Sequence, residues 1–198
     1  MKVEIFVEGG ASHLISPCRE AFRQLFIEAG LEGNLPRVYP CGSRQSAFED
    51  FCLALTQPGT IVLLLVDSEE PITNSNAKWN HVERRQGDQW RQPIGATEDS
   101  LHFMVECMES WLLADLQALQ KHFVKTVIHP SPPPQGNWEK KSKDDLVSRL
   151  DRIAKGTPKK TYHKGRDSFA ILKHVHPEAL KPLPHATAFL DYLRIICT

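Results

Sequence analysis

The run Ile61 to Val66, reading IVLLLV, constrains the fold more than any other stretch of the chain. All six residues are apolar, so neither face of a strand built from them can meet water. A strand covered on both faces belongs in a parallel sheet sandwiched by helices. The run gives way to acids at Asp67 and Glu69, and a first strand, Val3 to Val7, gives way in the same manner at Glu8. In an open parallel sheet, ligands bind just beyond the carboxyl ends of the strands, so carboxylates there line a crevice and not a core. Clustered carboxylates repel one another unless a cation lies between them. Oxygen-only ligands of high charge suit Mg2+ or Mn2+, ions that commonly hold phosphates, and the pattern points to phosphoryl or phosphodiester chemistry.

The segments around these strands read as βαβαβ. Ser16 is suited to cap a helix and Pro17 to its first turn. Cys18, Ala21, Phe22, Leu25, Phe26 and Ala29 then recur with the spacing of one helix face, and Gly30 supplies a stop. A short strand at Arg37 to Tyr39 precedes a second helix from about Ser43, whose expected inner face is Phe48, Phe51, Cys52 and Leu55. Leu101 to Val105 fits a fourth strand, followed by one helix carrying Met108, Trp111, Leu112, Ala114, Leu116 and Leu119. The alternation predicts an α/β fold, a mainly parallel sheet flanked by helices.

Three successive prolines in Ser131 to Gly136 mark a linker and divide the chain into a core of residues 1–130 and a basic helical region of residues 131–198 packing on it. The basic region contains a helix around Asp144 to Ala154, a charged loop from Gly156 to Ser168, and a terminal helix with Phe189, Leu190, Leu193 and Ile196.

With 198 residues and 41% hydrophobic content the chain can bury a sizeable core. No stretch approaches the roughly 20 apolar residues of a membrane span, and the start MKVEIFVEGG lacks the form of a secretion signal, so a cytoplasmic location is expected. Five cysteines without a C-x-x-C pair argue against a disulfide framework or a zinc knuckle. Nine scattered histidines without H-x-x-x-H spacing argue against a zinc hydrolase, and no G-x-S-x-G marks a nucleophilic serine.

The formal net charge is zero, but it is unevenly distributed. Residues 1–70 hold 5 Lys/Arg against 10 Asp/Glu, whereas residues 138–173 hold 11 against 5. The basic part has two readings, a polyanion-binding surface or a solvated helix face. Glu70 to Ala96 is polar and reads as a long active-site loop. Its Trp79 and Trp90, with Arg84, Arg85 and Arg91, either stack on nucleic acid or anchor the loop to the core. Glu109, in a helix's first turn, is a further metal ligand, a ligand's orienting partner, or an acid that favours the helix dipole.

Six motifs in order, V-E-G-G at 7–10, C-R-E-A-F-R at 18–23, C-G-S-R at 41–44, L-V-D-S-E at 65–69, C-M-E-S-W at 107–111 and Y-H-K-G at 162–165, make the chain resemble a Toprim-related family. That family includes the nuclease subunit of the PARIS phage-defence system. The resemblance implies a Toprim-like α/β core in which a strand-end glutamate and a D-x-D pair hold Mg2+. Glu8 matches the glutamate and Asp67 with Glu69 the pair, Glu69 standing where the general pattern has Asp. One metal or two stays open.

The resemblance further implies an RNA target such as tRNA and an ABC-type ATPase partner, for which this chain carries no Walker A motif of its own. The expected activity is a metal-dependent nuclease acting on RNA or DNA. Glu8 serves as general base or metal ligand, Asp67 and Glu69 as ligands, and Lys164 or Lys143 as stabiliser of phosphorane charge. Arg44, beside Gly42 and Ser43 at a helix start, either holds a phosphate or pairs with the acids. Lys159, Lys160 and Arg166 are expected to meet substrate. The alternative is a noncatalytic adaptor that binds nucleotide or nucleic acid and docks onto the ATPase. A homo-oligomer is compatible with either.

Overall fold

A computed structural model describes residues 2–9, 12–123 and 137–197. The proline-rich stretch 131–136, with the boundary drawn at 130, and Gly10 of the V-E-G-G motif lie outside the described residues. Four strands, β1 (Lys2–Val7), β2 (Arg37–Pro40), β3 (Thr60–Asp67) and β4 (Leu101–Met104), form one sheet in the order β2-β1-β3-β4. Every pairing is parallel, with Val7 opposite both Pro40 and Leu65. The fold is α/β and Rossmann-like, as the apolar run at residues 61–66 requires.

Alternation along the strands sends side chains to two apolar layers. Val3, Ile5, Val7, Leu63 and Leu65 join one layer, Phe6, Val62, Leu64 and Val66 the other. The helix after β1, α1 (Ile15–Phe26), packs in the first layer through Cys18, Ala21, Phe22, Leu25 and Phe26. The helix after β2, α2 (Arg44–Ala54), packs in the second through Ala47, Phe51 and Ala54, with Phe48, Cys52 and Leu55 half-buried. The chain thus leaves β1 over one face and returns to β3 over the other, which opens a crevice beyond the carboxyl ends of β1 and β3.

Local chemistry shifts several expected boundaries. A short 3-10 turn, Ser12–Leu14, leads into α1, so the helix begins at Ile15 and Ser16 is not its cap. Pro17 still falls in the first turn, where its missing N–H has no helical partner to lose. Ser43 does cap α2, accepting from Ser46 N at 3.0 Å. Gly30 turns the chain with a φ of 87°, as a helix stop demands. The single helix expected after β4 is two, α4 (Glu109–Ala114) and α5 (Leu116–Phe123). Asp115 breaks it, its Oδ1 accepting from Ala118 N at 3.0 Å and its Oδ2 from His176 N at 2.8 Å.

The segment Glu70 to Ala96 is not a long loop. It contains α3 (Lys78–Arg84), and Trp79 and Trp90 are buried at 3% and 4% exposure. Trp90 stacks on Phe48 with centroids 4.4 Å apart, and the two indoles donate to Thr97 O and Gln45 Oε1. The tryptophans anchor this segment to the second layer, so their ring faces are not a platform for bases.

The basic helical region supplies α6 (Lys143–Lys155), α7 (Arg166–Leu172), α8 (Pro177–Leu180) and α9 (Pro184–Ile196). Their apolar faces, including Leu146, Leu150, Phe169, Leu172, Phe189 and Leu193, belong to the same cluster as β1 and α1. Full burial of each such side chain contributes about 2–3 kcal/mol. These helices complete the first layer and bring the loop before α7 to the mouth of the crevice. Among the described residues no helix is long and apolar enough to cross a membrane.

Candidate functional site

The sheet delivers three acids to one place. Glu8 follows β1, Asp67 closes β3, and one oxygen each from Glu8, Asp67 and Glu69 lie within 4.8 Å of one another. Glu69 reaches the cluster through a left-handed backbone, φ 65°, a conformation that costs a non-glycine residue roughly 1–2 kcal/mol. Its amide is held by Glu106 O at 2.8 Å. Beside the acids a cavity of about 200 Å³ is lined by Glu8, Gly9, Asp67, Met108, Lys164 and Ser168, among others.

Asp67 is the buried member, at 4% exposure. Its Oδ1 accepts from Met108 N at 2.9 Å, while Oδ2 has Lys164 Nζ at 3.5 Å and Lys143 Nζ at 3.9 Å. Burial raises its carboxyl to about 7, with Glu8 and Glu109 pushing the same way and Lys164 and Lys143 opposing. Glu8 Oε2 is buried without a hydrogen-bond donor, and Arg44 Nη1 lies 3.5 Å from it. Glu69 is gripped by Lys143, whose Nζ lies 2.5 Å from both carboxylate oxygens.

Each acid therefore has a basic neighbour. Lys143 begins α6, where its own amide donates to Glu106 Oε2 at 2.9 Å. For Lys164, burial works against the ammonium, but Asp67, Glu109 and Glu69 outweigh it and hold the group above its usual range. Arg44 is committed elsewhere as well as here. Its Nε and Nη2 donate to Asp88 at 2.7 and 2.8 Å, and Nη1 donates to Asp67 O. Pairing with acids, one of the two roles open to it from sequence, is the arrangement this structure contains.

Glu109 lies outside the three-acid group. Completely buried in the first turn of α4, it accepts from Tyr162 Oη at 2.9 Å through Oε1, and Oε2 has no partner. Of the basic loop residues, only Lys164 reaches the acids. Lys159 Nζ is 2.8 Å from His122 Nε2 and 3.9 Å from Asp167, Arg166 Nε is 3.4 Å from Asp167, and Lys160 is exposed. Sequence reasoning assigned no part to Asp88, Glu106, Tyr162 or Ser168. Tyr162 falls in the Y-H-K-G motif, which was the available signal; Asp88, in a polar segment without periodicity, offered none.

A family model described as Domain of unknown function (DUF4276) matches residues 11–194, and the chain belongs to that family. No curated protein and no solved structure matches the chain.

Proposed function

We propose that the chain is a metal-dependent phosphodiesterase, a Toprim-like nuclease that acts on RNA or DNA with Mg2+ or Mn2+. The observation that carries this reading is the convergence of Glu8, Asp67 and Glu69 within 4.8 Å at the carboxyl ends of β1 and β3. The donor set fits a hard cation, being all carboxylate, and the buried Glu8 Oε2 that accepts no hydrogen bond is an oxygen with capacity for one. Glu8, Asp67 and Glu69 would hold the ion; bound there, it would polarise a phosphoryl oxygen and lower the pKa of a water.

The chain's own residues then have separable tasks. Met108 N fixes the Asp67 carboxylate by one oxygen and leaves the other toward the cavity. Lys164, half-exposed at the cavity wall, places a positive charge where a phosphate would gain negative charge. Arg44, locked by Asp88, orients Glu8 and the backbone of Asp67. Lys143 holds Glu69 when no divalent ion does. The basic stretch 138–173 gives a polyanion a favourable approach. By the same resemblance the setting is phage defence beside an ABC-type ATPase.

A second reading rests on Arg44, Lys143 and Lys164, which already sit against the acids. On that reading the crevice is a closed ion-pair cluster and the chain a noncatalytic adaptor. Incubating the purified protein with tRNA, single-stranded RNA and DNA separates the two. The nuclease reading expects cleavage that requires Mg2+ or Mn2+ and falls by about 10²–10³-fold or more in Glu8→Gln and Asp67→Asn. Equal turnover in all three proteins, or none with either ion, overturns it.

A further inference from the structure

From the cavity wall inward, four groups form a directed chain of hydrogen bonds, two of them, Gly165 and Ser168, lining the cavity. Tyr162 Oη has one proton and donates it to Glu109 Oε1 at 2.9 Å, so the 2.6 Å contact with Ser168 Oγ is a donation from the serine. Ser168 Oγ in turn accepts from Gly165 N at 3.0 Å. All three side chains are buried, Glu109 and Ser168 completely. The chain runs from the first turn of α4 to the residue that follows Lys164. Donors aligned toward a terminal carboxylate strengthen one another, so this line is stiffer than separate contacts.

A buried carboxylate with one oxygen unpartnered is costly unless a cation lies within its field. Glu109 has such a cation in Lys164, whose ammonium it favours in the same sense as Asp67 does. The turn between them is closely fitted: Gly165 has a φ of 86°, and a Cβ there would lie 2.8 Å from Leu14 Cδ1. We propose that Glu109, Tyr162 and Ser168 form a buried strut that holds the Lys164–Gly165 turn so that the Lys164 ammonium stands over Asp67 Oδ2, making Tyr162 a positioning residue. The inference rests on the phosphodiesterase reading for its catalytic consequence, though not for its geometry.

The strut acts through Lys164 alone, and this sets the test. In full-length protein, Tyr162→Phe removes the donor to Glu109 and lowers kcat/KM by about 10–100-fold, the scale of a 1 Å displacement of a reacting group. Placed on Lys164→Met, the same change costs less than about threefold more, because the group it positions is gone. Losses that multiply in the double variant overturn the proposal, since a merely structural tyrosine would act independently of Lys164.

A second arm needs no activity. Lysines dimethylated with 13C-formaldehyde give NMR signals that report each ammonium's surroundings. The Lys164 signal, assigned by its absence from Lys164→Met, is expected apart from those of exposed lysines in wild type and among them in Tyr162→Phe. An unmoved signal in a folded Tyr162→Phe protein overturns the strut, whereas a moved signal with an inactive wild type leaves the strut standing and removes the phosphodiesterase reading.

Discussion

Two buried aspartates of this molecule meet opposite fates. Asp88, its side chain wholly buried, accepts from Arg44 at 2.7 and 2.8 Å and from Arg85 at 2.8 Å, so guanidinium forks close both oxygens. Asp67 accepts one backbone amide at 2.9 Å, and its other oxygen faces a cavity with two ammonium groups at 3.5 and 3.9 Å. Arginine, planar and always charged, suits a permanent pair; lysine is a mobile point charge on a flexible stem. The contrast separates a carboxylate closed by guanidinium partners on both oxygens from one whose second oxygen has only ammonium groups at 3.5 and 3.9 Å.

Exchanging each acid for its amide gives the largest test of that contrast. Asp88→Asn removes the buried carboxylate shared by two guanidinium groups, leaving Arg44 only Glu8 at 3.5 Å and Arg85 only Glu70 at 4.0 Å as acidic partners among the described residues, and is expected to cost about 3–5 kcal/mol, lowering Tm by roughly 6–20 °C. Asp67→Asn is expected to leave the fold intact while metal-dependent cleavage falls by about 10³-fold. Thermal melts and a cleavage assay on both variants check the crossing pattern. Equal melting losses would erase the distinction.

Next in size is a pH effect. The Asp67 carboxyl stands at about 7 in the fold against an ordinary 3.8. Its folded form holds the proton more tightly, so this group's contribution to stability declines as pH climbs from 3.8 to 7, by on the order of 4 kcal/mol. Asp67→Asn, which cannot ionise, is therefore expected to melt higher than wild type at pH 8 without divalent ions. A cation needs the ionised form, so Mn2+ affinity should rise about tenfold per pH unit below 7 and level off above it, as measured by calorimetry at each pH.

Smaller effects concern the lysines. Lys143→Met frees Glu69 from its 2.5 Å contacts, and Mg2+ affinity should increase several-fold, roughly 1 kcal/mol. Unchanged affinity would mean that Lys143 and the ion do not compete. Lys160→Ala, on the exposed loop, should weaken RNA binding a few-fold and reduce the magnitude of the salt-dependence slope by about 1, read from filter binding at several salt concentrations.

Much of this architecture is legible without coordinates, for identifiable reasons. The uniformly apolar residues 61–66 demand a covered parallel strand, and the acids that end β1 and β3 fall at the crevice such a sheet creates. Helix α1 is equally readable, since Cys18, Ala21, Phe22, Leu25 and Phe26 share one face. Segments whose order comes from distant partners are not. Trp79 and Trp90 lie in a polar stretch, and nothing local tells that Phe48 and Phe51 of α2 will cover them. Asp115 breaks a helix because His176, 61 residues away, shares its carboxylate.

The site divides along the same line. Glu8, Asp67 and Glu69 announce themselves by position on strands, whereas Glu109 acquires its surroundings from Tyr162, 53 residues later. Lys143 and Lys164 stand among many basic residues, and only the packing of α6 and of the loop before α7 selects these two for the acids.

The claim beneath all of this is that one divalent cation can be shared by carboxylates from two strand ends. Titrating metal-free protein with MnCl2 at pH 8 in a calorimeter tests it most directly, with Asp67→Asn and Glu8→Gln alongside. At least one Mn2+ is expected to bind per wild-type chain, with affinity lower by about tenfold or more in each variant. Identical isotherms for the three proteins, or no binding to any, would contradict it.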